Sequence, residues 1–357
     1  MKLPCITMLA TLLLTVPAAA QLQITPPATT PSAPAEKQKP KPPAPAKKKE
    51  AAPAPKPSSS PKPSASPKPA TVIPAPPSDD PNVDLVFGAY QRGQYKTAFE
   101  LATARAQAGD AKAMTMLGEL YSNAMGIRRD YAKAAEWYKR AADSGDREAM
   151  FALAMLRISG RGGPVDKSEA VRLMASAAKL GEPKAAYNLA LLYLDGQTLP
   201  QDIRRSAELL RQAADAGLPE AQYALATFYK EGTGVPKDPE RAVRLLQAAS
   251  LADNVDAEVE YAIAMFNGTG TPKNQPAAVA LLRKASRQGS AIAQNRLAWV
   301  LINGVGTSVD KIEGFKWHLV AKTSGKGDPE LDKQLSDLPA DDRAKAEAAA
   351  RKWLGSK

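Results

Sequence analysis

One cysteine and one histidine stand among the 357 residues, and no apolar run reaches the ~20 residues a membrane-spanning helix needs. Each scarcity closes off a chemistry. With His318 alone, a two-histidine metal site cannot form, and a Ser/His/Asp triad would hang on one residue near the end of the chain. With Cys5 alone there is no intramolecular disulfide and no Cys-x-x-Cys pair. No P-loop, nucleophile elbow or pair of catalytic carboxylates is present, and Gly-x-Gly pairs such as Gly232 and Gly234 lack the third glycine and preceding strand of a dinucleotide site. The sequence therefore predicts no enzyme, no cofactor and no metal.

What is present divides the chain. Lys2, the apolar stretch Ile6 to Val16 and Ala18-Ala19-Ala20 before Gln21 have the form of an export signal over residues 1–20. Cleavage there would remove Cys5 and place the mature protein in the periplasm or outside the cell; an uncleaved signal would act as a weak anchor. Residues 21–81 hold 19 of the 31 prolines and nine lysines, with no arginine or aromatic residue. That composition cannot bury enough apolar surface to fold and predicts a disordered linker. In polyproline II form, at about 3.1 Å per residue, it would reach on the order of 100 Å or more. Its charge of +5 suits loose attachment to anionic envelope polymers or lipid head groups, and it equally suits a solvated spacer. The folded part is only mildly basic, and with export this argues against a nucleic-acid partner.

From residue 109 the chain repeats. Gly109, Gly145, Gly181, Gly217, Gly289 and Gly325 fall on one 36-residue grid, with Asp253 at the remaining point. Leu117, Leu153, Leu189, Leu225, Tyr261 and Leu297 make an apolar column, and Gly118, Ala154, Ala190, Ala226, Ala262 and Ala298 a small-residue column beside it. Each unit reads as a helical hairpin. Helix A takes roughly a dozen residues, with Pro183 and Pro219 in the first turn. A glycine turn follows, and helix B starts at the N-caps Asp130, Asp166, Asp202, Asp238, Asn274 and Asp310. Asp166 and Glu169 have capping-box spacing. The predicted domains are the signal (1–20), the linker (21–81), a solenoid over 82–324 with a degenerate leading hairpin, and a closing helix within 325–357.

The pattern A-x-x-x-L-[GA]-x-[LV]-Y-x-x-G-x-G followed by D-x-x-x-A-x-x-W-Y-x-x-A-A-x-x-G, written out from Ala113 to Gly145 with Ala124 at the first turn glycine, resembles the Sel1-like repeat. That family is related to the 34-residue tetratricopeptide repeat. The resemblance implies an all-α, right-handed α/α solenoid that serves as an adaptor or scaffold for other proteins. It also implies the exported bacterial type, whose members are linked to signalling, surface polysaccharide control, envelope function and host interaction. One exported branch, with a disulfide in each repeat, is described as binding or hydrolysing β-lactams; the absence of those cysteines weakens that implication and leaves a β-lactam-binding hydrolase as the remote alternative.

The tetratricopeptide relationship further implies which helix A positions line the concave face. Two residues before the column leucine they are Thr115, Phe151, Tyr187, Tyr223, Val259 and Asn295, and two after it Glu119, Met155, Leu191, Thr227, Ile263 and Trp299. Five after, they are Ser122, Ile158, Leu194, Lys230, Phe266 and Ile302. An apolar, aromatic groove centred on Phe151, Tyr187, Leu191, Tyr223 and Phe266 would take a protein or peptide. The alternative is that these side chains only pack between helices, and a rival function is wall-polymer binding through the Lys/Pro tail.

Overall fold

The computed structural model describes residues 84–356, and among these it has sixteen helices and no strand. The expected signal, Cys5 and the Pro/Lys-rich linker lie outside the described residues. α1 (Leu85–Gln91) and α2 (Tyr95–Gln107) form the leading hairpin. Six pairs follow: α3 (Ala111–Asn123) with α4 (Tyr131–Asp143), α5 (Arg147–Ser159) with α6 (Lys167–Lys179), and α7 (Pro183–Asp195) with α8 (Ile203–Asp215). The remaining three are α9 (Pro219–Glu231) with α10 (Pro239–Leu251), α11 (Val255–Asn267) with α12 (Gln275–Arg287), and α13 (Ala291–Asn303) with α14 (Lys311–Thr323). Where one closing helix was expected there are two, α15 (Pro329–Ser336) and α16 (Ala340–Gly355).

Every paired helix is 13 residues long because the same chemistry starts and stops it. All six expected Asp/Asn N-caps of the B helices accept the third amide of the helix at 2.8–3.1 Å. The backbone N–H of each capping residue donates to a carbonyl near the end of helix A, as from Asp130 to Tyr121 and from Asp310 to Leu301. One residue thus closes the A–B turn and opens helix B. This is why the expected capping box at Asp166 does not form. The Asp166 N–H is occupied by the Arg157 carbonyl, and Glu169 pairs instead with Arg157 Nε at 2.6 Å.

The grid residue ends helix B in a Schellman motif. Gly145 and Asp146, for example, donate to the carbonyls of Ala142 and Ala141, with Gly145 at φ +88°. In the Gly-x-Gly turns the second glycine has another duty. A Cβ on Gly162 or Gly270 would overlap the backbone that opens the previous repeat's helix B, at Tyr131 and Pro239. These pairs are turns, and they are also contacts between repeats.

Helices pack on their chain neighbours, most closely within a repeat, as the nearest-neighbour logic of a solenoid requires. The small-residue column is buried throughout, as is the B-helix column Tyr138, Met174, Leu210, Leu246, Leu282 and His318. The first repeat has glycine there because its opposite residue is largest: a Cβ on Gly118 would overlap the Tyr138 ring. At the other end α16 packs on α14, with Trp353 edge-to-face on Trp317 at 5.0 Å between centroids. His318 is fully buried, its Nε2 2.9 Å from Asp332 Oδ1 on α15.

Candidate functional site

The A helices present one face through the fourth, seventh, eighth, eleventh and fourteenth residues of each repeat, a spacing that keeps side chains on one side of a 3.6-residue helix. At the start of the array this face lines a cleft of about 590 Å³, within the range of ligand sites. Its walls include Thr115, Met116, Glu119 and Ser122 from α3 and Phe151 and Met155 from α5. Phe87 of α1, half-exposed, and Lys184 of α7 also line it.

The rim is charged and largely self-paired. Lys112 Nζ lies 3.0 Å from Asp146 Oδ2 and 3.2 Å from Glu148 Oε1. Burial works against that ammonium, but the hydrogen bonds to Asp146 and Glu148 outweigh it and hold its pKa above the usual lysine range. Arg105 pairs with Asp84 and Asp110. Behind the wall, Tyr138 has its phenol pushed well above the ordinary value by burial and then by the Glu119 carboxylate. Glu119 itself accepts from Asn123 Nδ2 at 2.7 Å.

The ten residues expected in the groove fall into three groups. Phe151 and Met155 line the cleft together. Tyr187, Leu191, Tyr223, Thr227, Ile263 and Trp299 continue the same register on α7, α9, α11 and α13, half-buried. Val259 and Phe266 are the most enclosed of the ten, at 4% and 7% exposure, close to the 8% of Thr115 in the cleft wall. Tyr187 and Tyr223 are themselves packed against the central core, and both phenols are raised by burial first and nearby carboxylates second. The wall residue Met116 and the rim residues Lys112, Glu148 and Lys184 were missing from the sequence expectation. They sit one and five residues before the column leucine, so adding the i−3 and i−4 neighbours of the chosen positions would have found them.

Among the described residues no group of His, Cys, Asp and Glu side chains is placed to hold a metal ion, and no helix is long and apolar enough to cross a membrane. The buried His318 is a packing residue of the last repeat, tied to α15.

Comparison with known proteins agrees with this geometry. The Sel1 repeat model matches residues 111–146, 147–182, 183–218, 219–254, 255–290 and 291–325 in unbroken succession. A Sel1 repeat protein from Oxalobacter formigenes is similar at 23% identity and TM-score 0.57, over 66% of this chain and 94% of that one. A protective antigen of uropathogenic Escherichia coli with an SLR fold is similar at 23% identity and TM-score 0.51, over 72% of this chain and 64% of that one. No curated protein matches. Sel1 repeat proteins are generally protein-interaction scaffolds and typically non-catalytic. With six consecutive repeats and an α/α solenoid built from them, the chain belongs to the Sel1 repeat family.

Proposed function

We propose that this chain is a non-enzymatic scaffold of the cell envelope that holds a peptide or protein partner along the concave face of its A helices. The observation that carries the reading is the cleft of about 590 Å³ over α3 and α5, lined by Phe151 and Met155 together with Thr115, Met116 and Ser122. Export follows from the form of residues 1–20, and N-terminal sequencing of the mature protein should begin at Gln21. The test of the groove is capture from envelope extract by the full mature chain and by its Phe151→Ala/Met155→Ala variant. A partner retained by the first and lost by the second, with thermal stability little changed, supports the groove. Identical capture by both removes it.

A second reading has one observation in its favour. The six B helices carry 17 Lys and Arg against seven Asp and Glu, while the six A helices carry six against eight. An anionic envelope polymer would therefore meet basic side chains on the repeats as well as in the 21–81 segment. That reading predicts salt-sensitive cosedimentation with purified wall polymer, weakened when 21–81 is deleted.

A further inference from the structure

The cations where helix A turns into helix B are not spread evenly along the array. From the last turn of helix A to the first turn of helix B, the leading hairpin and the first two repeats carry eight Lys and Arg against three carboxylates, and repeats three to six carry seven against seven. One turn further into helix B the totals are nine against five and nine against eight, so the excess belongs to the start of the array. The three carboxylates are already engaged. Asp130 and Asp166 cap α4 and α6, and Glu169 pairs with Arg157 at 2.6 Å. Asp130 also stands 3.9 Å from Lys133 Nζ. Lys96, Arg128, Arg129, Arg161 and Lys167 make no ion pair among the described residues, and all but the half-buried Arg161 are exposed.

Packing brings these residues to one edge. A tyrosine opens helix B in the leading hairpin, Tyr95, and in the first repeat, Tyr131. The glycine turn of the next repeat lies on each of them: a Cβ on Gly126 would overlap Tyr95, and one on Gly162 would overlap the Tyr131 carbonyl. Arg129 and Arg161, from successive turns, both lie over the Tyr131 ring, their guanidinium carbons 5.8 and 5.3 Å from its centroid. The ring holds each guanidinium by its quadrupole, and no carboxylate occupies the N–H fork. A carboxylate or a phosphate matches that fork and is taken by two parallel hydrogen bonds. With packed helices about 8–10 Å apart, the turns of three hairpins set these cations in a row on the order of 20 Å long. In the turns themselves Val165 is the one large apolar side chain exposed, too little to anchor in a bilayer.

We infer, resting on the second reading above, that this edge takes a linear polyanion, a polymer with carboxylate or phosphate groups repeated along it. Its oxyanions sit in the forks of Arg129 and Arg161 and run on past Arg128 and Lys96.

The test follows the binding of two labelled linear probes, polygalacturonate for the carboxylate and polyphosphate for the phosphate, to the full chain by fluorescence anisotropy at low salt. At least one should bind, and the tighter of the two names the oxyanion. Arg128→Gln/Arg129→Gln/Arg161→Gln should weaken it about tenfold, because three exposed charge contacts are removed. Arg204→Gln/Arg244→Gln/Arg287→Gln takes the same charge from exposed, unpaired positions in repeats three to five and should weaken it far less, with circular dichroism unchanged in both variants. Equal losses in the two variants would overturn the inference and leave the second reading standing on diffuse charge. If neither probe binds the unaltered chain, the edge falls, and the second reading is decided by its own cosedimentation with wall polymer. Displacement of the polymer by inorganic phosphate at equal charge would show a site for single ions and overturn the linear occupant. Tighter binding to phosphatidylglycerol vesicles than to either polymer, lost in the first variant, would overturn it in favour of a lipid surface.

Discussion

In the first repeat the seventh and fourteenth residues are Thr115 and Ser122; in the fifth, the same two places hold Val259 and Phe266. The backbone around them is a helix of 13 residues in both, capped at the same register by Asp110 and Asn254 and ended by a left-handed residue, Ala124 and Gly268. Thr115 and Ser122 help line the cleft, Thr115 at 8% exposure, while at the same places the larger Val259 and Phe266 are 4% and 7% exposed. A repeat array makes a site here by leaving volume out. The scaffold repeats, and the size of two side chains decides whether its inner face is recessed or filled.

The sharpest way to break that comparison is to remove a ring at each end. Phe266→Ala should cost about 3–5 kcal/mol in denaturant unfolding, the usual loss on truncating a buried phenylalanine. Phe151→Ala, at a wall that is already half open, should cost about half as much or less, because part of its ring is in contact with water before the change. Equal losses would mean that the two ends are packed alike.

A second comparison sets the first repeat against the middle ones. Repeats three to five have Ala190, Ala226 and Ala262 and Leu210, Leu246 and Leu282, all buried, at the two places where the first has Gly118 packed on Tyr138. Gly118→Ala alone should destabilise by about 1–3 kcal/mol through overpacking against the ring. Adding Tyr138→Leu rebuilds the pairing of the middle repeats and should recover most of that loss, a coupling that a double-mutant cycle reads directly.

How far these differences were legible in the sequence depends on the range of the interactions behind each. The hairpins were legible because the 36-residue grid and the Asp caps are local, and a cap needs only its own next three residues. The failed capping box at Asp166 was not legible, because it depends on the Arg157 carbonyl across the turn having taken the N–H first. Groove and core on the A helices could not be separated by periodicity, since a helix apolar almost all round gives no phase. Val259 and Phe266 were placed by family register, which carries no information on how far each side chain is enclosed. α15 lies beyond the grid, and what ties it down, Asp332 on the buried His318, joins residues that no repeat pattern relates.

The fifth repeat also differs from its neighbours in a buried charge. Gln222 and Gln294 donate to the carbonyls of Ala214 and Ser286, at 3.3 and 3.1 Å. The equivalent Glu258, fully buried, has no proton to give when ionised and takes Lys284 Nζ at 2.6 Å instead, with Asp253 on the same ammonium at 2.7 Å. Glu258→Gln should leave thermal stability nearly unchanged, because the amide can make the bond its neighbours make, to the Ser250 carbonyl. Lys284→Met should lower it, because a buried carboxylate is then left alone. The reverse order would show that the ion pair, and not the repeat's own amide geometry, holds this place.

The smallest expected effect separates the two ends by the sign of their pH dependence. At Asp110, burial acts to raise the carboxyl pKa but is outweighed by hydrogen bonds from the Ala113 amide and Arg105, so the folded value lies below the usual one. Asp110 then contributes stability above the unfolded carboxylate pKa, and that contribution is lost as pH falls through the folded value. At Asp256, burial and then Glu260 raise the carboxyl pKa. Here the folded state binds the proton more tightly, so stability falls as pH rises through the window between the unfolded and folded values, and ionised Asp256 is a small cost at neutral pH. Asp110→Asn should therefore destabilise at neutral pH and Asp256→Asn should slightly stabilise. Both differences should shrink on acidification, the second vanishing below the unfolded carboxylate pKa and the first only below the still lower folded value. Melting curves of the two variants across acid pH would show shifts of opposite sign; shifts of the same sign would mean that the two carboxylates sit in equivalent surroundings, although Asp110 is hydrogen-bonded by Arg105 and by the amides of Lys112 and Ala113.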